Sequence, residues 1–176
     1  GELTLSRFPL DRFLTVDSLG SASANFRLEG RYFSWPQAKT SVNAGIRQLF
    51  YKEHEYKDIT LQATLDKTHL RGTMVSKDPD APLDLVFRGD SLQQQYQVGL
   101  GGYIGKVDLQ ALHLMQEPLT MGLKVDLQGF IGEHSAYALK ARFDSLSMAD
   151  SRKTYTLGSL DIDMASDLKK TTLDVK

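Results

Sequence analysis

From Ile59 onward, segment after segment of this chain places an apolar residue at every second position and a polar one between. Ile59, Leu61, Ala63 and Leu65 share one side of their segment, while Thr60, Gln62 and Thr64 share the other. Period two is the signature of a strand with one face turned from water. It returns in Leu83/Leu85/Phe87, Tyr96/Val98/Leu100, Met121/Leu123/Val125/Leu127, Tyr137/Leu139/Ala141/Phe143 and Leu160/Ile162/Met164. Turn signals about every 8 to 14 residues separate these segments, the spacing of an all-β sandwich, barrel or solenoid. The expectation is an elongated antiparallel sheet of about ten to twelve strands with at most two short helices.

Breaks in the pattern are placed as follows. Leu10, Phe13 and Leu14 have the spacing of a short helix, with Pro9 suited to its first turn. Ser18 to Ser23 reads as a turn, and Arg31 to Lys39, with Trp35-Pro36, as a connection. Val42, Ala44 and Ile46 alternate and then slip phase to Leu49 and Tyr51, which predicts a bulge. Lys52 to Glu55 is the expected polar tip of a hairpin whose return strand starts at Tyr56, and Asp66-Lys67-Thr68 is the next turn. Ser76 to Pro82 carries strong turn chemistry, and Asp90-Ser91 is read as a break. Val107 to Leu114 is either a short helix or an irregular crossing. Gly132 to His134 and Ala149 to Lys153 are turns, with a second phase slip at Gly158-Ser159.

With 176 residues the chain fits a single domain, 1–176. Its 21 basic and 22 acidic residues are spread without long runs, which gives no electrostatic footprint for nucleic acid and no polybasic membrane patch. The absence of cysteine excludes disulfides, thiolate metal sites and thiol nucleophiles. No segment approaches the roughly 18 to 20 apolar residues that span a bilayer. Both ends alternate, through Glu2 to Leu5 and Thr171 to Val175, which points to a segment of a longer protein.

Reactive groups form no recognisable constellation. Gly99, Gly101, Gly102 and Gly105 follow a strand, but Ile104 stands where a dinucleotide fingerprint needs its third glycine. Strand bending or crowding beside a neighbouring backbone accounts for them better. His54, His69, His113 and His134 lack metal-ligand spacing, and Glu53-His54-Glu55 is read as a solvated tip, so no metal and no cofactor is expected. Asp161 and Asp163 are read as exposed-face carboxylates, and Asp78 and Asp80 as turn residues capping backbone amides. There is no nucleophile elbow, and the reading is of a protein that is not an enzyme.

Several stretches resemble the TamB/AsmA-like proteins of the bacterial envelope, in a form similar to the Bacteroidetes group. They are Phe8-Pro9-Leu10, Tyr51 with Tyr56 to Leu61, Asp78-Pro79-Asp80 followed by Leu83 to Gly89, and Val107 to Leu114. Where that family typically has Asn-Gly-Tyr and Asp-Pro-Asn, this chain has Glu53-His54-Glu55-Tyr56 and Asp78-Pro79-Asp80, both turn-compatible. The resemblance implies a β-taco, a sheet folded over an apolar groove, within a periplasmic protein anchored in the inner membrane. It further implies carriage of phospholipid acyl chains between inner and outer membranes, or help to outer-membrane protein assembly with a barrel partner of the TamA/BamA type.

On this reading the groove lining is Ile59, Leu61, Leu65, Leu83, Leu85, Phe87, Val98, Leu100, Leu123, Val125, Leu127, Leu139 and Phe143. Alternation alone does not separate a hollow groove from a filled core. A strand-pairing scaffold without lipid cargo is the alternative function.

Overall fold

A computed structural model describes residues 1–14, 19–31, 37–92, 95–132, 137–150, 152–166 and 171–176. Their strands are β1 (Glu2–Pro9), β2 (Leu19–Arg31), β3 (Lys39–Tyr51), β4 (His54–Asp66), β5 (His69–Ser76) and β6 (Leu83–Leu92). The series continues with β7 (Gln95–Asp108), β8 (Thr120–Ile131), β9 (Tyr137–Ala149), β10 (Thr154–Ser166) and β11 (Thr171–Val175). One helical turn, α1 (Asp11–Leu14), follows β1. All eleven strands form one open antiparallel sheet in chain order, with β1 and β11 at its edges.

Cross-strand register explains why the apolar positions share a face. Ile46 stands opposite Ile59, Leu61 opposite Met74, Met74 opposite Leu85, and Phe87 opposite Leu100. Leu100 then meets Leu127, Val125 meets Phe143, and Phe143 meets Leu160. Directly opposed residues point the same way, so period two within each strand becomes one apolar face across the whole sheet.

A row of bulges crosses that sheet at one level. β1 carries an extra residue between Leu5 and Phe8, with Arg7 at φ 45° and its amide donating to Ser23 Oγ at 3.1 Å. Arg47 is the extra residue of β3 between Ile46 and Gln48, and Asp58 at φ 51° faces it from β4. β7 bulges between Ile104 and Val107, and β9 at Ser145, φ 54°. These points are level because the register runs Leu5, Ala24, Ile46, Ile59, Ser76, Leu83, Ile104, Leu123 from strand to strand. One extra residue flips the side-chain phase and bends the strand, so both phase slips in the sequence sit on this crease. β5 ends and β6 begins at it, whereas the β3–β4 tip, the 77–82 turn and the 109–119 crossing lie beyond it.

Several boundaries differ from those the sequence suggests. Pro9 ends β1 and precedes the helix, and Leu19 to Ser23 is strand. Asp90 and Ser91 continue β6, because their ladder partners Gln97 and Tyr96 hold them in register. The β3–β4 tip is only Lys52 and Glu53, with φ of 48° and 66°, so His54 and Glu55 already belong to β4. Two consecutive positive φ values are the hairpin turn that matches strand twist. The 109–119 segment is an irregular crossing; Asp108 Oδ1 accepts from the amides of Gln110 and Ala111, turning the chain without a helix. Trp35, Pro36 and the turn at Glu133-His134 lie outside the described residues.

Candidate functional site

All thirteen predicted lining residues fall on the apolar face. Burial divides them. Leu85, Leu123 and Val125, at 7, 9 and 4 % exposed, form a packed centre just inside the crease, with Met74, Leu83, Leu100, Ile104, Met121, Leu127, Phe143 and Leu146 against it. Ile59, Leu61, Leu65, Leu83, Phe87, Leu100, Leu127, Leu139 and Phe143 are half-buried, while Val98 is 49 % exposed. Beside Val98, Tyr96, Ile131 and Tyr137 are exposed too, so the apolar face opens toward the end of the sheet away from the crease.

Small and large residues interlock across strands. The Phe87 ring of β6 lies over Gly72 of β5, filling the space a side chain there would take. Such pairing packs the face laterally, strand against neighbouring strand.

The surface area shows how much of the chain remains uncovered. A compact monomer of 19.7 kDa would expose about 8,600 Å² by the usual size scaling. This chain exposes 12135 Å². The described strands form a single sheet, and strand pairing gives its apolar face no partner element among the described residues.

The other face is polar. Arg142 lies between Asp144 and Asp161 at 3.3 and 3.7 Å, and Arg71 and His69 both reach Asp90 Oδ1, at 2.8 and 2.5 Å. A depression of about 500 Å³ lies on this side over Gly45, bordered by Glu2, Asn25, Arg27, Asn43 and Gln62. Hydrogen bonds from Arg71 and then His69 hold the Asp90 carboxyl below its usual range. A depressed carboxyl contributes stability above the unfolded-state value, near pH 3.9, and loses that contribution as pH falls through the folded-state value. Arg71→Ala is expected to return the Asp90 titration toward the ordinary value, read by NMR of its side-chain carboxyl; an unmoved midpoint would show that Arg71 is not the cause.

Beyond the crease sits a polar cluster whose members, His54, Asp78 and Asp80, are joined by no motif in the sequence. His54 opens β4, and its Nδ1 lies 3.0 Å from the Ala111 carbonyl oxygen of the 109–119 crossing. Its ring packs edge-on against Tyr56, with centroids 4.6 Å apart. Asp78, 2 % exposed, accepts from the Lys57 amide on Oδ2 at 2.8 Å and from the Asp80 amide on Oδ1 at 2.9 Å. The expected role of Asp78 as an amide cap is therefore met, whereas His54 is largely buried and is not a solvated tip. The available signal was the β4–β5 register: extending Ile59↔Ser76 by two residues places Asp78 beside Lys57, close to His54.

Comparison with known proteins adds no neighbour, as no family model, curated protein or solved structure matches this chain.

Proposed function

We propose that this sheet carries phospholipid acyl chains on its apolar face, as a non-enzymatic segment of a TamB/AsmA-like conduit in the periplasm. The observation that supports it best is an eleven-stranded apolar face that no second sheet covers among the described residues, in a chain that exposes far more area than a compact monomer. From Ile59 to Leu65 the face extends about 20 Å along the strands, and eleven strands add about 48 Å across them. Each methylene placed there is stabilised by about 0.8 kcal/mol, so affinity comes from area and chain length and needs little sequence specificity. Help to outer-membrane protein assembly, with a TamA/BamA-type barrel, belongs to the same proposal.

The test uses Val98 and Ile131, which are exposed on this face, so that the packed centre is left intact. Native mass spectrometry after incubation with phosphatidylethanolamine and phosphatidylglycerol vesicles is expected to show bound lipid. Val98→Asp with Ile131→Asp is expected to remove at least about nine-tenths of it while the unfolding midpoint moves by less than about 1 kcal/mol, as for surface positions. Absence of lipid on the wild-type protein, or equal lipid on the double variant, would sink the proposal.

A strand-pairing scaffold is a second reading because β11 is exposed throughout its length. Free edge strands template pairing with another extended segment. Binding of an alternating apolar and polar peptide, lost on Leu173→Pro, would favour it.

A further inference from the structure

We propose that His54, Asp78 and Asp80 form a site for one first-row divalent cation, with zinc the ion that suits them best. One ligand atom from each residue lies within 4.8 Å of those of the other two. The residues come from the start of β4 and from the 77–82 turn, so the site depends on the fold and not on a local motif.

The decisive atom is His54 Nε2. The Ala111 carbonyl oxygen can only accept, so Nδ1 must carry the proton of its 3.0 Å hydrogen bond. In the neutral ring Nε2 then presents a bare lone pair. That atom is sealed from solvent without a hydrogen-bond partner, in a side chain only 11 % exposed, and it faces Asp78 Oδ2 at 3.7 Å. Two atoms with lone pairs to offer face each other there. A proton on Nε2 would leave the contact too long for a hydrogen bond and would not involve Asp80. A cation engages all three groups.

The separation of His54 from Asp78 and the surroundings of both suit such an ion. Zinc binds imidazole nitrogen and carboxylate oxygen at about 2.0 to 2.2 Å, which puts two tetrahedral ligands about 3.4 Å apart; the observed 3.7 Å closes by a few tenths of an ångström. Metal-bound histidines commonly donate their other ring N–H to a backbone carbonyl, which fixes the ring and its tautomer. His54 does so to Ala111. Each oxygen of Asp78 already takes one backbone amide, which orients the carboxylate and leaves a lone pair free on each. Asp80 is half-buried, the least enclosed of the three. One nitrogen with two oxygens suits zinc better than calcium or magnesium, which take six or more oxygen ligands. Bound there, the ion would clamp the β3–β4 tip to the 77–82 turn and, through His54, to the 109–119 crossing.

The experiment titrates Zn²⁺ into chelator-stripped protein by calorimetry and repeats the titration with Co²⁺ by visible absorption. One equivalent is expected to bind and to raise the thermal midpoint by about 5 °C through preferential binding to the folded state. Asp80→Asn is expected to weaken binding tenfold or more, with the metal-free midpoint unchanged because Asp80 holds the turn through its backbone amide, which the substitution keeps. The control His69→Gln, at an exposed ion pair, is expected to bind as wild type. No stoichiometric uptake by the wild-type protein, or uptake undiminished in Asp80→Asn, overturns the proposal.

Discussion

Val125→Asp is expected to abolish cooperative folding. Val125 is 4 % exposed at the centre of the apolar face, touching the cluster of Leu85 and Leu123. Removing its side chain forfeits about 1.5 to 3 kcal/mol of burial. A carboxylate put there meets no described cation on that face, and burying an unpaired charge costs several kcal/mol more. Together these approach or exceed the roughly 5 to 15 kcal/mol by which a domain is stable. Urea denaturation followed by far-ultraviolet circular dichroism should show the transition lost for Val125→Asp and shifted by about 2 kcal/mol for Val125→Ala. A wild-type midpoint for the aspartate variant would mean that the centre is open and unpacked. The contrast with Val98→Asp matters, since the same charge at a 49 % exposed position should leave folding intact.

Gly102→Ala is the second large effect, expected to cost more than about 3 kcal/mol. Gly102 has φ 144°, a conformation that side-chain-bearing residues rarely adopt, and a Cβ there would overlap the Asp84 carbonyl oxygen of β6. Backbone strain alone is worth about 1 to 3 kcal/mol, and the overlap with main chain cannot be relieved by a rotamer change. Its partners in the ladder are Leu85 and Val125, so the disturbance falls on the packed centre. The neighbouring Gly101→Ala supplies the comparison: its Cβ would meet only the Val125 carbonyl oxygen, at 3.8 Å, and should shift the midpoint by less than about 1 kcal/mol. Equal effects at the two positions would contradict the close approach of β6 and β7 at Gly102.

How legible these features are from sequence depends on whether the signal is local. The face shared by Leu61, Leu85, Val125 and Phe143 follows from alternation, because antiparallel pairing preserves phase across the ladder. The phase slips near Arg47 and at Gly158-Ser159 mark the crease: Arg47 is an extra residue of β3, and Gly158 lies level with Ser145, where β9 bulges against β8. The crowding of Gly102 against β6 likewise answers to the glycine run Gly99 to Gly105. The Lys52-Glu53 turn is different: neither residue favours positive φ, and pairing of Tyr51 with His54 imposes it. Asp90 and Ser91 resemble a break, yet tertiary pairing to β7 overrides their weak strand preference. His54 and Asp78 carry no joint signature because they meet only through the register beyond the crease.

Strict pairing in chain order also governs how the chain can reach this architecture. The most widely separated ladder partners, Tyr96 and Ile131, belong to consecutive strands, so no strand waits for a distant one to complete it. Loop closure is correspondingly inexpensive in entropy, and a topology built from near neighbours assembles faster than one dominated by remote pairings. Each finished hairpin offers its free hydrogen-bonding rim to the next stretch of polypeptide, so the array can lengthen by accretion as residues become available, one ribbon templating the following one.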